Sequence, residues 1–255
     1  MREAVAAIFV HEEDIFVIRR QEYLRAFPGY YAFPGGKVDP GDAAFQYRTP
    51  ILNEHPGAQM RALIREVAEE LDFDLERAAE RGEIESISEF GVAVTPAFEP
   101  VRFKAHYFKI VTRIRPELTP DSQEIAWGGW LHRDVLHEHY LDGGLMVVPT
   151  ANTVLALAED ISAICPEEFN LVYDEGRELP YLELIHGMGF FPVPSHTLPP
   201  ARFTNAYVVG NGAGEPRYLV DPSPESDDVL DKLVEALESR PVDAILITHH
   251  HPDHH

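Results

Sequence analysis

The sequence predicts an α+β protein whose larger part is an α/β/α sandwich. Three observations point there. Two β-prone runs, EAVAAIFV and IFVIRR, flank the polar stretch HEED and read as a hairpin. One long amphipathic helix, GAQMRALIREVAEELDFD, follows them. Further β-prone runs then come after that helix, so strands and helices do not alternate as in a regular βαβ array.

The remaining elements follow in order. YYAFPGGKVDPGD is a strand entering a Gly/Pro-rich loop. FKAHYFKIV and EIAWGGWL are strands, and TANTVLALAEDISAI is a helix with Thr150 or Asn152 as its cap. GFFPVPSHTLPPARF, dense in proline, marks a boundary. Behind it come strands NAYVVG and RYLVDP, the helix SDDVLDKLVEALESR and the strand AILITH. The expected division is a first domain over 1–182, a Pro-rich linker over 183–200 and a second domain over 201–255.

Composition narrows the function. Lys and Arg number 21 against 43 Asp and Glu, a formal charge of -22. That field repels phosphate backbones and anionic lipid, which argues against nucleic acid or a membrane surface as the main partner. An anionic small substrate needs divalent cations to approach. Cys165 is the single cysteine, so no intrachain disulfide forms and a reducing, cytoplasmic setting is expected. The opening MREAVAAIFVHEED lacks the pattern of a signal peptide. No run approaches the ~18 apolar residues of a membrane helix.

The most informative stretch is REVAEELDF. At about 100° per residue, Glu66, Glu69 and Glu70 share one helix face while Ile64, Val67 and Leu71 take the other. Three adjacent carboxylates repel one another by some tenths of a kcal/mol per pair. A solvated acidic face tolerates this; hard divalent cations, which take oxygen ligands, offset it.

Together with the preceding FPGGKVDPGD, this helix resembles the Nudix hydrolase signature: Gly36, five residues, Asp42, and then Arg65-Glu66-Val67-Ala68-Glu69-Glu70-Leu71-Asp72-Phe73. Asp42 stands where the family has Glu, and Asp72 where it has Gly. Asp72 is tolerable if it caps the helix in the left-handed region, which Asp can visit. The segment AAFQYRTPILNEHPG separates the two halves, and extra length in a surface loop costs little closure entropy.

The resemblance implies hydrolysis of a diphosphate joined to another moiety, with Mg²⁺ or Mn²⁺ held by Glu66, Glu69, Glu70 and the backbone carbonyl near Gly36. It makes Arg65 structural, pairing with Asp42 or a helix carboxylate. The proton acceptor is placed at Glu124, in DSQEIAWGGWL, where an exposed loop acid is the competing reading. IRRQEYLRAFPGYYAFPGG further resembles the segment before the signature in coenzyme A diphosphatases, with Arg20 and Arg25 as phosphate contacts; it lacks that motif's Arg-Ser and His-x-Gly elements. Coenzyme A or acyl-CoA is therefore the leading substrate, with nucleoside diphosphate sugars, ADP-ribose and dinucleotide polyphosphates open. A homodimer is compatible with the family.

The chain ends in ITHHHPDHH, which carries five of its thirteen histidines. The run is broken by Pro252 and Asp253, unlike a purification tag. Read as His249-x-His251-x-Asp253-His254 after an apolar strand, it resembles the metal loop of the metallo-β-lactamase superfamily. That implies the N-terminal part of an αβ/βα fold, with His249 and His251 on one zinc ion and Asp253 and His254 on a second. The ligands present do not close such a site, so zinc is expected only in a completed domain, and the chain reads as the front of a longer fusion. Residues after about 190 should then be poorly packed or lean on the first domain. Two alternatives stand beside the hydrolase: a Nudix module that binds nucleotide without turnover, and zinc-dependent hydrolysis of an ester, thioester or phosphodiester by the completed second domain.

Overall fold

The computed structural model describes residues 1–43, 45–166, 169, 171–174, 176–211 and 214–255. The chain forms two units, Met1–Val172 and Tyr173–His255.

In the first unit, β1 (Arg2–His11) and β2 (Asp14–Arg20) form the expected hairpin. The β1 strand runs parallel to β6 (Phe103–Thr112) from Arg2↔Phe103 to Val10↔Val111, and β6 pairs antiparallel with β5 (Ile84–Val94). Short strands β3 (Tyr31–Ala32) and β4 (Gly35–Lys37) add to β2 and β1, and β7 (Ile125–His132) pairs along all of β2.

Alternation along β1 explains the layers. Val5, Ala7 and Phe9 enter one core with α1 (Gly57–Leu71) and α2 (Leu75–Glu80). Ala6, Ile8 and Val10 enter a second core with α3 (Arg133–Leu141) and α4 (Val148–Glu159). Both faces of β1 are buried, which is why EAVAAIFV reads as a continuous apolar run instead of alternating. The result is the expected α/β/α sandwich.

The details depart from expectation in several places. The α4 helix begins at Val148, with Val147 as cap residue and Pro149 in its first turn. Thr150 and Asn152 therefore lie inside the helix and do not cap it; proline's fixed φ suits the first turn, where its missing N–H costs nothing. At the other end, buried Lys109 donates from Nζ to the carbonyls of Ile161 and, at 2.9 Å, Ala163, and burial pushes its pKa down. The insertion between the halves of the signature is more than surface loop. It holds a 3-10 helix at Pro50–Asn53 and buries Tyr47 and Leu52 in the α1 core.

The second unit is a five-stranded sheet in the order β12 (Ala244–Leu246), β11 (Tyr218–Val220), β10 (Phe203–Val209), β9 (Met188–Pro194), β8 (Leu182–Ile185). The expected linker over 183–200 is thus largely strand, and the first domain's expected end at 182 moves back to Val172. Proline misled here. Pro194 accepts from the Glu225 N–H at 2.9 Å on the side away from β10, so its ring nitrogen also faces out of the ladder. Proline is tolerated at such an edge.

The α5 helix (Asp227–Glu238), capped by the Ser226 hydroxyl, covers one face over Phe191, Val193, Ala206, Val208 and Leu219. The expectation of poor packing after residue 190 fails on this face, where a core forms, and holds at β12, which is exposed along its whole length. On the rest of the sheet, Met188, Tyr207, Val209 and Ile245 stay exposed.

Asp72 ends α1 with φ 49° and ψ 39°, its N–H donating to the Ala68 carbonyl at 3.1 Å. A β-carbon in the left-handed region costs roughly 1–2 kcal/mol. Asp72→Gly should relieve part of this and raise thermal stability by about 1 kcal/mol, the remainder offset by the freer unfolded chain. Unchanged or lower stability in a melting experiment would contradict the strain.

Candidate active site

The loop after β4 closes on itself first. Asp39 N–H donates to Asp42 Oδ2 at 2.8 Å, and Asp42 N–H to the Asp39 carbonyl at 2.9 Å, with Pro40 at the turn's second position. Asp42 is only 5% exposed. Arg65, near the middle of α1, then reaches across. Its Nε and Nη2 donate to the two Asp42 oxygens at 3.2 and 2.9 Å, and Nη2 also to the Lys37 carbonyl at 2.8 Å. Its Nη1 donates to Glu66 at 2.8 Å and Glu69 at 3.3 Å. The Arg65 hydrogen bonds hold the Asp42 carboxyl below the usual carboxylate range. Aspartate in place of the longer glutamate still takes both prongs of the guanidinium fork.

Two glycines let helix and loop meet. A β-carbon on Gly36 would sit 2.3 Å from Glu66 Oε1, and one on Gly35 would sit 2.1 Å from the Val5 carbonyl oxygen. The Gly35 N–H donates to Glu70 Oε2 at 2.8 Å. Glu66 and Glu70 thus bracket Gly35 and Gly36 at the start of β4. Glu69 is 60% exposed and turned to Arg65.

The electrostatics show a site short of positive charge. Burial raises the Glu66 carboxyl, against the pull of Arg65. Burial pushes Glu70 up to about 7; Glu66 and Glu124 add to the rise, while the Gly35 N–H and Arg20 oppose it. Glu124 and Arg20 therefore both lie within electrostatic reach of Glu70. Arg20 also donates from Nε to the Ala26 carbonyl at 3.2 Å. Arg25 is exposed, and no geometry ties it to the cluster.

Glu124 is carried there by backbone bonds at the end of α1. The Thr119 and Asp121 N–H groups donate to the Leu71 and Glu70 carbonyls at 2.8 and 2.7 Å, satisfying acceptors that a helix C-terminus leaves free. Sequence reading missed Gln21 and Tyr23, which hold the same segment from the other side. Their partners lie about a hundred residues away, beyond any local pattern.

These residues fit a hard divalent cation. Oxygen donors from Glu66 and Glu70 crowd the start of β4, which is cleared of β-carbons. Burial raises both carboxyls, with like-charged neighbours adding to the rise, a penalty that a hard cation would offset. The side chains are not yet gathered: among the described residues, no three His, Cys, Asp or Glu side chains are placed to hold an ion.

In the second unit, the His249 ring centroid lies 4.6 Å from that of His251 and 4.0 Å from that of His254. Beneath them sits Asp221, buried, at φ 53°, which the sequence reading did not select. It accepts from the Thr248 N–H and hydroxyl at 2.7 and 2.6 Å and lies 2.8 Å from His254 Nδ1. This fixes one imidazole edge, while Nε2 lies 3.9 Å from the Asp253 carboxylate. Imidazole donors of this kind suit zinc. Asp253 is held through its backbone, whose carbonyl accepts from the Ser223 hydroxyl at 2.6 Å.

Comparison with known proteins bears on both units. The NUDIX domain family matches residues 1–144, and the metallo-beta-lactamase superfamily matches residues 199–254. No curated protein matches the chain. A NUDIX hydrolase from Alicyclobacillus acidocaldarius is 23% identical with a TM-score of 0.52, covering 62% of this chain and 91% of that one. A Deinococcus radiodurans protein is 18% identical, TM-score 0.42, covering 61% and 82%. A MutT NUDIX hydrolase from Burkholderia pseudomallei is 20% identical, TM-score 0.36, covering 52% and 84%.

Burial at Glu70 has a pH consequence. Its folded pKa of about 7 lies above the unburied 4.5, so the folded chain holds that proton more tightly than the unfolded one. Stability contributed by the neutral form is present below about pH 4.5 and falls as pH rises toward about 7. In chelator, Glu70→Gln should melt higher than the parent at about pH 8, with the gap closing by about pH 5. A gap independent of pH would contradict the buried carboxylate.

Proposed function

The chain belongs to the NUDIX family, hydrolases of pyrophosphate bonds in nucleoside diphosphate-linked compounds, and from that premise we propose coenzyme A or an acyl-CoA as its substrate. The observation that carries the placement of the chemistry is the pair Glu66 and Glu70 bracketing Gly35–Gly36, with Arg20 and Glu124 in reach. The substrate choice rests on Arg20 and Arg25 in IRRQEYLRAFPGYYAFPGG, rare cations in a chain of net charge -22.

Glu66, Glu69, Glu70 and the Gly36 carbonyl are the groups that would hold Mg²⁺ or Mn²⁺, which neutralises the diphosphate and makes a bound water more acidic. Arg20, within electrostatic reach of Glu70, binds a phosphate oxygen, and Arg25, exposed on the following loop, contacts a phosphate farther along the substrate. Glu124 accepts the proton of the attacking water. Water adds to one phosphorus, the bridging oxygen leaves with the other phosphate, and coenzyme A yields 3′,5′-ADP and a phosphopantetheine. Arg65 touches none of the reacting atoms; it fixes the loop against the helix.

For the second unit we propose that His249, His251, Asp253 and His254 belong to a zinc site for ester, thioester or phosphodiester hydrolysis. What supports this is the cluster of imidazoles over Asp221.

Purified protein with Mg²⁺ should release 3′,5′-ADP from coenzyme A or an acyl-CoA faster than it cleaves ADP-ribose, a nucleoside diphosphate sugar or a dinucleotide polyphosphate. No 3′,5′-ADP from any CoA species ends the substrate assignment. Glu69→Gln and Glu70→Gln should each cut kcat by about a hundredfold or more; unchanged turnover would remove the helix acids from the mechanism.

A further inference from the structure

We infer that Gln21 is the positioning residue that holds the Glu124 segment at the C-terminal end of α1, the helix that carries Glu70, an inference that rests on reading Glu124 as the proton acceptor. Gln21 directly follows Arg20 at the end of β2. Its backbone N–H donates to the Glu124 carbonyl at 2.9 Å. Its side-chain Nε2 donates to the Ser122 carbonyl at 2.9 Å and the Ile125 carbonyl at 3.3 Å. One residue thus takes three acceptors from a four-residue stretch, using every N–H it owns. Two residues on, the Tyr23 hydroxyl donates to the Gln123 carbonyl.

The segment is therefore held from two directions. The C-terminal carbonyls of α1 fix Thr119 and Asp121, and Gln21 fixes Ser122, Glu124 and Ile125. The register of β2 with β7 shifts between Arg19 and Arg20, so the ladder alone does not carry regular pairing through to Glu124. Gln21 bridges that irregular point. Because it adjoins Arg20, the same strand end sets the phosphate-facing cation and the acid together. A positioned acid or base needs the correct geometry before its pKa matters.

The test uses the full chain with Gln21→Met, which keeps the side chain's length and removes both of its donors, and Glu124→Gln. Hydrogen exchange should quicken over residues 119–125 in Gln21→Met, with α1 and β6 unchanged. With Mg²⁺ and coenzyme A or ADP-ribose, kcat should fall about tenfold to a hundredfold while KM stays within about twofold. In the Glu124→Gln background, Gln21→Met should add no further loss. Exchange unchanged over 119–125 overturns the inference whether or not either substrate is cleaved. So does full kcat in Gln21→Met alongside an impaired Glu124→Gln, which sinks the Gln21 role alone. Full kcat in Glu124→Gln removes the acceptor itself and the inference with it. If Gln21→Met does not fold, Gln21→Asn, one methylene shorter, carries the same expectations.

Discussion

The guanidinium of Arg65 joins two parts of the chain that the sequence keeps apart. Its three nitrogens meet Asp42 and the Lys37 carbonyl on the loop, and Glu66 and Glu69 on its own helix. Asp42 is nearly buried, so a missing partner would leave a carboxylate stranded away from water, and breaking such a pair costs several kcal/mol, roughly 3–5. That cost holds the loop after β4, and with it Gly35 and Gly36, against α1 despite the long insertion between the halves. Without it, Glu66 and Glu70 would be helix acids facing no loop.

From this constraint the other placements follow. The loop approaches because Gly35 and Gly36 lack β-carbons that would strike Val5 and Glu66. The helix keeps its height because Met60, Leu63, Val67 and Leu71 are buried in the core beneath it. Its free C-terminal carbonyls then recruit the segment before β7, bringing Glu124 in from far along the chain. Each step uses a backbone group or a buried side chain that had to be satisfied in any case. The acids accumulate around the start of β4 as a by-product, and their burial beside like-charged neighbours prepares the site for cations.

Much of this was legible in the residues. The face shared by Glu66, Glu69 and Glu70 depends on local helical geometry, which periodicity reports. The β1–β2 hairpin was legible for the same reason. The pairing of Arg65 with Asp42, across 23 residues, and the cap at Asp72 came from the resemblance to the signature, which left a helix carboxylate open as the partner of Arg65. The β5 strand, IESISEFGVAV, was missed because its polar positions interrupt the apolar run. The α3 helix, RDVLHEHYL, was missed because it buries only Leu136 and Tyr140. Prolines at 192 and 194 disguised β9 as a linker, although their nitrogens face away from the ladder. Gln21 and Asp221 act through partners distant in sequence, and a chain read alone carries no trace of such pairings.

The claim on which the chemistry stands is that Glu66 and Glu70 hold a cation against Gly35 and Gly36 at the start of β4. Crystals grown with Mn²⁺ and measured at its absorption edge test this directly. The expected result is an anomalous peak bounded by the Glu66 and Glu70 carboxylates and the Gly36 carbonyl, with Glu69 swung from Arg65 to join it. No peak there, with the acids turned to water while Arg65 still grips Asp42, would contradict it.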